Sequence, residues 1–363
     1  MLLPDASIDV ASQKAQGDQM RELCHIYLGE DATSFDFYNN VLPQLHNFFR
    51  QNSGRELVLD FSEVSFISPL VVPNIFTIGY ILKKHFGTPV ELIVPWKPKL
   101  LSYLNDISFF SIISDYDLFV IDDRYVGGLN TNTVYPGCFC YCFEPDMAYE
   151  DVRYKLKKSI NIITDLATSI TGVKSDGSDL LNNLTELCYN ACLHSDNLAF
   201  ATIQTNLTDN NRHKKAYLAI SDCGNGLYHS LSKKYRANEA SPVTVSTDEF
   251  LSLSEDVRNV YAILESILFR QQYEVFGIFH VVGNVTATGG VVRIHSNDTQ
   301  VILTQNSFQR YIDHPVKLAK TLKDKLVQVQ REDIELRFSP VRKSSGKLKG
   351  VHIEIEVPIG VKR

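Results

Sequence analysis

The segment Ser178–Ser195, SDLLNNLTELCYNACLHS, constrains the fold more than any other stretch of the chain. At about 100° per residue, Leu180, Leu181, Leu184, Leu187, Cys188 and Ala191 fall on one stripe, so the segment reads as an amphipathic helix lying on a sheet. Asn183, Glu186, Asn190 and His194 fall on the neighbouring stripe, the last three at intervals of four. A carboxylate and an amide one turn apart suit a hydrated cation and an anion in one place. Mg²⁺ takes hard oxygen ligands and keeps several waters, so one Asn carbonyl oxygen plus phosphate oxygens hold it. A nearby Glu would orient or deprotonate an attacking water. Read alone, the same stripe is equally the solvated face of a surface helix.

The surrounding pattern supplies the sheet. In the N-terminal third, ELCHIYLG from Glu22 and ELVLDFS (Glu56–Ser62) read as strands, and Val90–Val94 as a third. Helical patterns over Phe35–Gln51 and Pro69–Phe86, and another beginning near Pro98, alternate with them, which predicts a parallel or mixed sheet covered by helices. Further on, strands are expected at Gly137–Phe143, Phe200–Asn206, Ala216–Ser221, Gly290–Ser296, Thr299–Thr304, Ile334–Phe338 and Val351–Val357. Helices are expected at Tyr149–Ser169, at Ser178–Ser195 with Ser or Asp as N-cap, within Ser254–Gln271, and at Gly277–Ala287.

The whole is an α/β (α+β) chain of two domains, as its 363 residues require. The expected division is a loose N-terminus over 1–20, one domain over 21–126, a Gly/Asn/Thr-rich linker over 127–135 and a second domain over 136–363.

Charge and cysteine usage limit the partners. A net charge of −6, with only the short basic stretch Lys343–Lys349, does not indicate nucleic acid. No run of about 18 apolar residues occurs and the N-terminus lacks a basic-then-apolar leader, so the expectation is a cytoplasmic protein without a membrane partner. Seven scattered cysteines do not form a secreted disulfide framework. Cys138, Cys140 and Cys142 alternate as the inward residues of a buried strand do, a spacing unsuited to a zinc site.

A second constellation stands after the apolar strand KAYLAIS, where Asp222-Cys223-Gly224-Asn225-Gly226 follows at once. A carboxylate at a strand end can meet an exocyclic amine while glycines let backbone approach a flat base. In isolation this is also an ordinary hairpin turn.

In this order the two motifs resemble the GHKL (Bergerat-fold, HATPase_c) ATP-binding family. Glu186–Ser195 (ELCYNACLHS) looks like its N box, closest to the anti-sigma-factor serine kinases, and DCGNG like its G1 box. Phe276–Ser296 resembles the G2 box with its helix and strand, and VHIEIEVPI (Val351–Ile359) the last strand of that α/β sandwich. The resemblance implies ATP and Mg²⁺ as cofactors, with Glu186 the catalytic base, Asn190 the metal ligand and Asp222 the adenine partner. Gly224 and Gly226 would line the base, His194 would lie near the phosphates, and Gly277 would open a helix whose N-terminus meets them. The stretch 227–275 would be an irregular ATP lid. Val275 replaces the usual first glycine of the G2 box, which argues against tight phosphate cradling.

The N-terminal LVLDFSEVSFISPLVV resembles the STAS pattern of strand, turn and helix. Where phosphorylatable STAS domains carry an Asp-Ser pair, this chain has Ile67-Ser68-Pro69, so Ser68 is read as a helix N-cap and the module as one for regulation or for docking a protein partner. A histidine kinase would need a phosphoacceptor His on the helix Tyr149–Ser169, which has none. The leading expectation is a Mg·ATP-binding ATPase or switch protein in signalling. The alternatives are a serine/threonine kinase acting on a STAS partner and a non-hydrolysing nucleotide-gated scaffold. Relatives in that family often dimerise, so a homodimer is among the partners implied.

Overall fold

The computed structural model describes residues 22–51, 55–122, 138–171, 177–206, 214–237, 246–267, 278–308 and 341–359. The expected loose N-terminus, the 127–135 linker, the Ile334–Phe338 strand and Gly277 lie outside these residues. So does the side chain of His194. The chain is a mixed α/β protein whose described residues form a four-stranded parallel sheet, a five-stranded antiparallel sheet and a two-stranded parallel pair. No helix of the described residues is long and apolar enough to cross a membrane.

The N-terminal unit runs β1 (Leu23–Tyr27), β2 (Asp31–Ala32), α1 (Ser34–Asp36), a π-helical turn (Phe37–Val41), α2 (Leu42–Gln51), β3 (Glu56–Asp60) and β4 (Phe66–Ile67). It continues with α3 (Val71–Phe86), β5 (Val90–Ile93), α4 (Pro98–Asp106), α5 (Phe109–Tyr116) and β6 (Phe119–Val120). Strands β1, β3, β5 and β6 form a sheet in that order, each pair parallel. Parallel neighbours need crossovers, and the intervening helices supply them. The short helix α5 was not anticipated from sequence.

Helix α3 is apolar on nearly every side because it lies between two sheets. Phe76 packs against Phe109 at a ring-centroid distance of 5.0 Å and against Phe200 of the second sheet at 5.4 Å. Each such buried Phe contributes on the order of 1.5–3 kcal/mol. At its C-terminus Gly87 adopts φ +75° and returns its N–H to the Lys83 carbonyl, a left-handed cap that Gly allows without a Cβ penalty. The N-cap reading of Ser68 is corrected: α3 begins at Val71, two residues after Pro69. The Ser68 carbonyl accepts from Val71 N, while its hydroxyl lies 3.3 Å from that of Ser34.

The C-terminal unit comprises β7 (Phe139–Phe143), α6 (Tyr149–Thr171), α7 (Ser178–Ser195), β8 (Ala199–Asn206) and β9 (Lys215–Asp222). It continues with α8 (Gly226–Arg236), α9 (Thr247–Ser252), α10 (Glu255–Glu265), α11 (Ile278–Ala287), β10 (Val291–Leu303) and β11 (Val341–Pro358). The sheet order is β10-β11-β9-β8-β7, antiparallel throughout. Ala199, Ala201, Leu218, Ile220, Ile353 and Ile355 belong to the core beneath the helices of this unit. The alternate residue Phe200, together with Cys138, Cys140, Cys142 and Leu348, is buried in the core of the N-terminal unit instead. Both faces of the antiparallel sheet are therefore covered.

Three expectations need correction. The stretch after Gly226, expected to be irregular apart from one helix, folds over its described residues into α8, α9 and α10. Val257, Val260, Ile263 and Leu264 of α10 are buried in the main core, so this helix is core and not cover. The strands read as Gly290–Ser296 and Thr299–Thr304 are one strand, β10, whose register with β11 shifts around Asn297, at φ +57°. The N-cap of α7 is Gly177 at φ +66°, without a side-chain bond, and not Ser178 or Asp179.

Candidate functional site

The end of α7 meets the end of β9, and that meeting brings the two sequence motifs together. Glu186 and Asn190 lie one turn apart and half-buried, with Asn190 Nδ2 donating to Glu186 Oε1 at 3.0 Å. That bond fixes the amide with its nitrogen toward the carboxylate, leaving its carbonyl oxygen as a hard acceptor. A Cβ on Gly224 would stand 3.0 Å from Ser195 Cα and 3.0 Å from Asp222 Oδ1. Only the absence of a side chain lets the loop after β9 approach the C-terminal turn of α7 this closely.

Asp222 is the last residue of β9 and is 6% exposed. Its Oδ1 accepts from Gly224 N at 2.7 Å and from Val351 N at 3.2 Å. Burial pushes its carboxyl up to about 7, against the lowering pull of those two N–H groups. Burial, and after it the Asp222 charge, pushes the Cys192 thiol up to about 12, which leaves it an inert thiol in the wall. Gly226 sits at φ +81°, where an added Cβ would meet Ser296 Oγ at 3.0 Å, and it opens α8.

Two contributors escaped the sequence reading. Gly350 has φ +114°, and an added Cβ would fall 2.1 Å from the Asp222 carbonyl oxygen, so β11 reaches the site only through a glycine. The isolated glycine before the apolar alternation VHIEIEV was the available signal. On α6, Tyr149 stands beside Glu186; burial first, and then that carboxylate, raises its phenol. Helical periodicity gave no indication of this pairing.

Asp222, Gly224 and Gly226 thus share one loop against the C-terminal turn of α7, while Glu186 and Asn190 form a pair on the same helix nine and five residues before Ser195, where α7 packs against β9. Neither of the two large cavities described, of about 640 and 550 Å³, is lined by any of these five residues. The arrangement offers a buried carboxylate at a strand end, a carbonyl oxygen for a hard cation and a second carboxylate one turn away. No group of three or more His, Cys, Asp or Glu suited to a metal occurs among the described residues, so a cation here would rely on Asn190 and on oxygens brought by a ligand. No family model matches this chain, and no curated protein matches it.

Proposed function

We propose that the chain is a Mg·ATP-binding switch protein of the GHKL type, with a STAS-like N-terminal module in a regulatory or docking role. The observation that carries the reading is the apposition of Gly224 with Ser195, which sets the Asp222 loop of β9 against the end of the helix that bears Glu186 and Asn190. Two motifs separated by some thirty residues in sequence would have no reason to share a neighbourhood as a solvated helix face and a hairpin turn. The antiparallel five-stranded sheet with helices over that face supports the same reading.

On this reading Asp222 accepts from the exocyclic amine of adenine, with Gly224 and Gly226 giving the base room against the backbone. Asn190 holds Mg²⁺ through its carbonyl oxygen. Bound Mg²⁺ would supply charge neutralisation at the phosphates, and Glu186 would orient a water toward the terminal one. The Asn190–Glu186 bond holds both groups in a defined orientation before any ligand arrives, which reduces the ordering cost of binding.

The test is calorimetric titration of the full chain with Mg·ATP. Asp222→Ala is expected to weaken binding by about 1–3 kcal/mol, because the amine loses its partner. Glu186→Ala is expected to remove hydrolysis while sparing affinity, since a base acts in the transition state. Equal ATP affinity in the parent and the Asp222 variant would overturn the assignment.

A further inference from the structure

The helix-covered face of the antiparallel sheet holds a cavity of about 550 Å³ at the end away from Asp222. Helices α6, α7 and α11 wall it on one side through Ile163, Leu184 and Val285, and strands β9 and β11 close the other through Leu218, Ile355 and Val357. Strand β9 runs from Lys215 to Asp222, so a cavity at Ala216 and Leu218 lies against its first residues, while the Asp222 loop follows its last. Asn183 of α7 also lines this cavity. It shares the polar stripe of Glu186 and Asn190 but is turned into the protein, at 8% exposed.

The side chain of Asn183 sets this space apart from a packing gap. Its amide makes no hydrogen bond with any other residue, and unlike the sealed polar atoms of the core it keeps surface open to the cavity. A buried amide without a partner is destabilising, and an apolar side chain of the same size would suit these walls better. The amide therefore calls for a hydrogen-bonding group that the protein itself does not provide. Mostly apolar walls with one placed polar group, around a volume within about 300–1,000 Å³, are the usual make-up of a small-molecule site. Charge then limits the occupant. The only charged residue among the described lining is Asp179, which is exposed and stands in the first turn of α7. An anion would lose its water here with no cation to meet it and a carboxylate at the rim.

We propose that this cavity binds a neutral, compact apolar molecule carrying one carbonyl or hydroxyl oxygen that bonds to the Asn183 amide. An amide both donates and accepts, so a ketone and an alcohol each find a partner in it. The apolar body of the ligand lies among Leu184, Leu218, Val285 and Ile355, whose contacts with it replace contacts with water. The site is separate from the Asp222 loop and does not depend on the nucleotide reading. Its occupant would nevertheless rest on the helix that bears Glu186 and Asn190, about one turn ahead of Glu186.

Calorimetric titration of the full chain with camphor, an apolar cage with one ketone oxygen, tests the site. Saturable binding is expected in the parent, weakened at least about tenfold in Asn183→Leu and lost in Ala216→Leu, which fills the space from the β9 side. Camphorsulfonate, the same cage with a negative charge, is expected not to bind. Because Asn183→Leu removes an amide that has no partner, the unliganded variant is expected to melt no lower than the parent. A lower Tm would show that the amide already serves the fold, and overturns the proposal. Absence of saturable binding up to millimolar camphor, equal camphor affinity in Asn183→Leu, or equal affinity for camphorsulfonate overturns it as well. Binding is expected to be unchanged in Asp222→Asn, and its loss there would move the ligand to the Asp222 loop and refute the assignment.

Discussion

At the scale of single residues, the buried carboxyl of Asp222 sets a conflict between stability and use. Its folded pKa of about 7 lies above the ordinary 3.8, so the folded chain holds this proton more tightly than the unfolded chain does. The stability linked to that proton is fully present below about pH 4 and is lost as the pH rises through about 7. The distance from 3.8 to about 7 corresponds to about 4 kcal/mol at most. Asparagine keeps a carbonyl oxygen for Gly224 N and Val351 N and carries no charge. Asp222→Asn is therefore expected to raise Tm at pH 8 and to change it little at pH 5, in protein without added nucleotide. An equal change at both pH values would show that the carboxylate carries no burial cost. The wild-type residue keeps this penalty near neutral pH, which is consistent with a carboxylate retained for a ligand.

At the scale of elements, α3 and β9 are joined by a chain of buried hydroxyls. Thr77 Oγ1 lies 2.7 Å from Ser221 Oγ, which lies 2.6 Å from His352 Nδ1. Burial drives the His352 imidazole down to about 3, so it is neutral in the folded chain and bonds as a neutral ring. Ser221→Ala orphans two buried groups at once and is expected to cost about 2–4 kcal/mol in urea unfolding, where a surface Ser→Ala is nearly neutral. A loss below about 0.5 kcal/mol would mean that the two units do not depend on this contact.

The same elements show what sequence reasoning reaches. Helix α7 was read with its observed bounds because its apolar stripe runs unbroken, and the polar stripe beside it supplied Glu186 and Asn190. The strand bearing Asp222 was legible from its apolar run and the glycines after it. Helices α8 and α9 were not. They are short and polar, and α9 is held by a capping box, Ser246 with Glu249, rather than by a stripe. The capping of α7 by Gly177 was hidden because a glycine ahead of a serine looks like linker. Gly350 and Tyr149 join the site only through tertiary approach, which no local period encodes. The place of Asn183 in a cavity wall was equally silent, since a polar residue on the stripe of Glu186 and Asn190 ordinarily marks a face turned to water.

At the scale of the whole molecule, the second face of the antiparallel sheet is covered over part of its area by the N-terminal unit. Phe200, Cys138 and the two cysteines of β7 belong to the core of the N-terminal unit, and Cys140 N donates to the Ile107 carbonyl across the junction. Two units that share a core in this way are expected to melt together. Scanning calorimetry of the full chain should give one transition whose calorimetric and van't Hoff enthalpies agree. Two resolved transitions would mean that the shared face contributes little.

Strand β11 adds a different consequence. Between Lys343 and Leu348, where its pairing with β10 is interrupted, it presses on α2: an added Cβ on Gly346 would meet Leu42 Cβ at 2.4 Å, and His46 Nε2 bonds to the Lys347 carbonyl across a separation of 301 residues. During synthesis, the patch of α2 around Leu42 on which Gly346 presses therefore waits for this cover until nearly the whole of the intervening polypeptide has left the ribosome. Contacts this distant in sequence close late and slowly. The nascent chain thus passes through a stage in which one patch of α2 lacks the cover of a strand made 301 residues later.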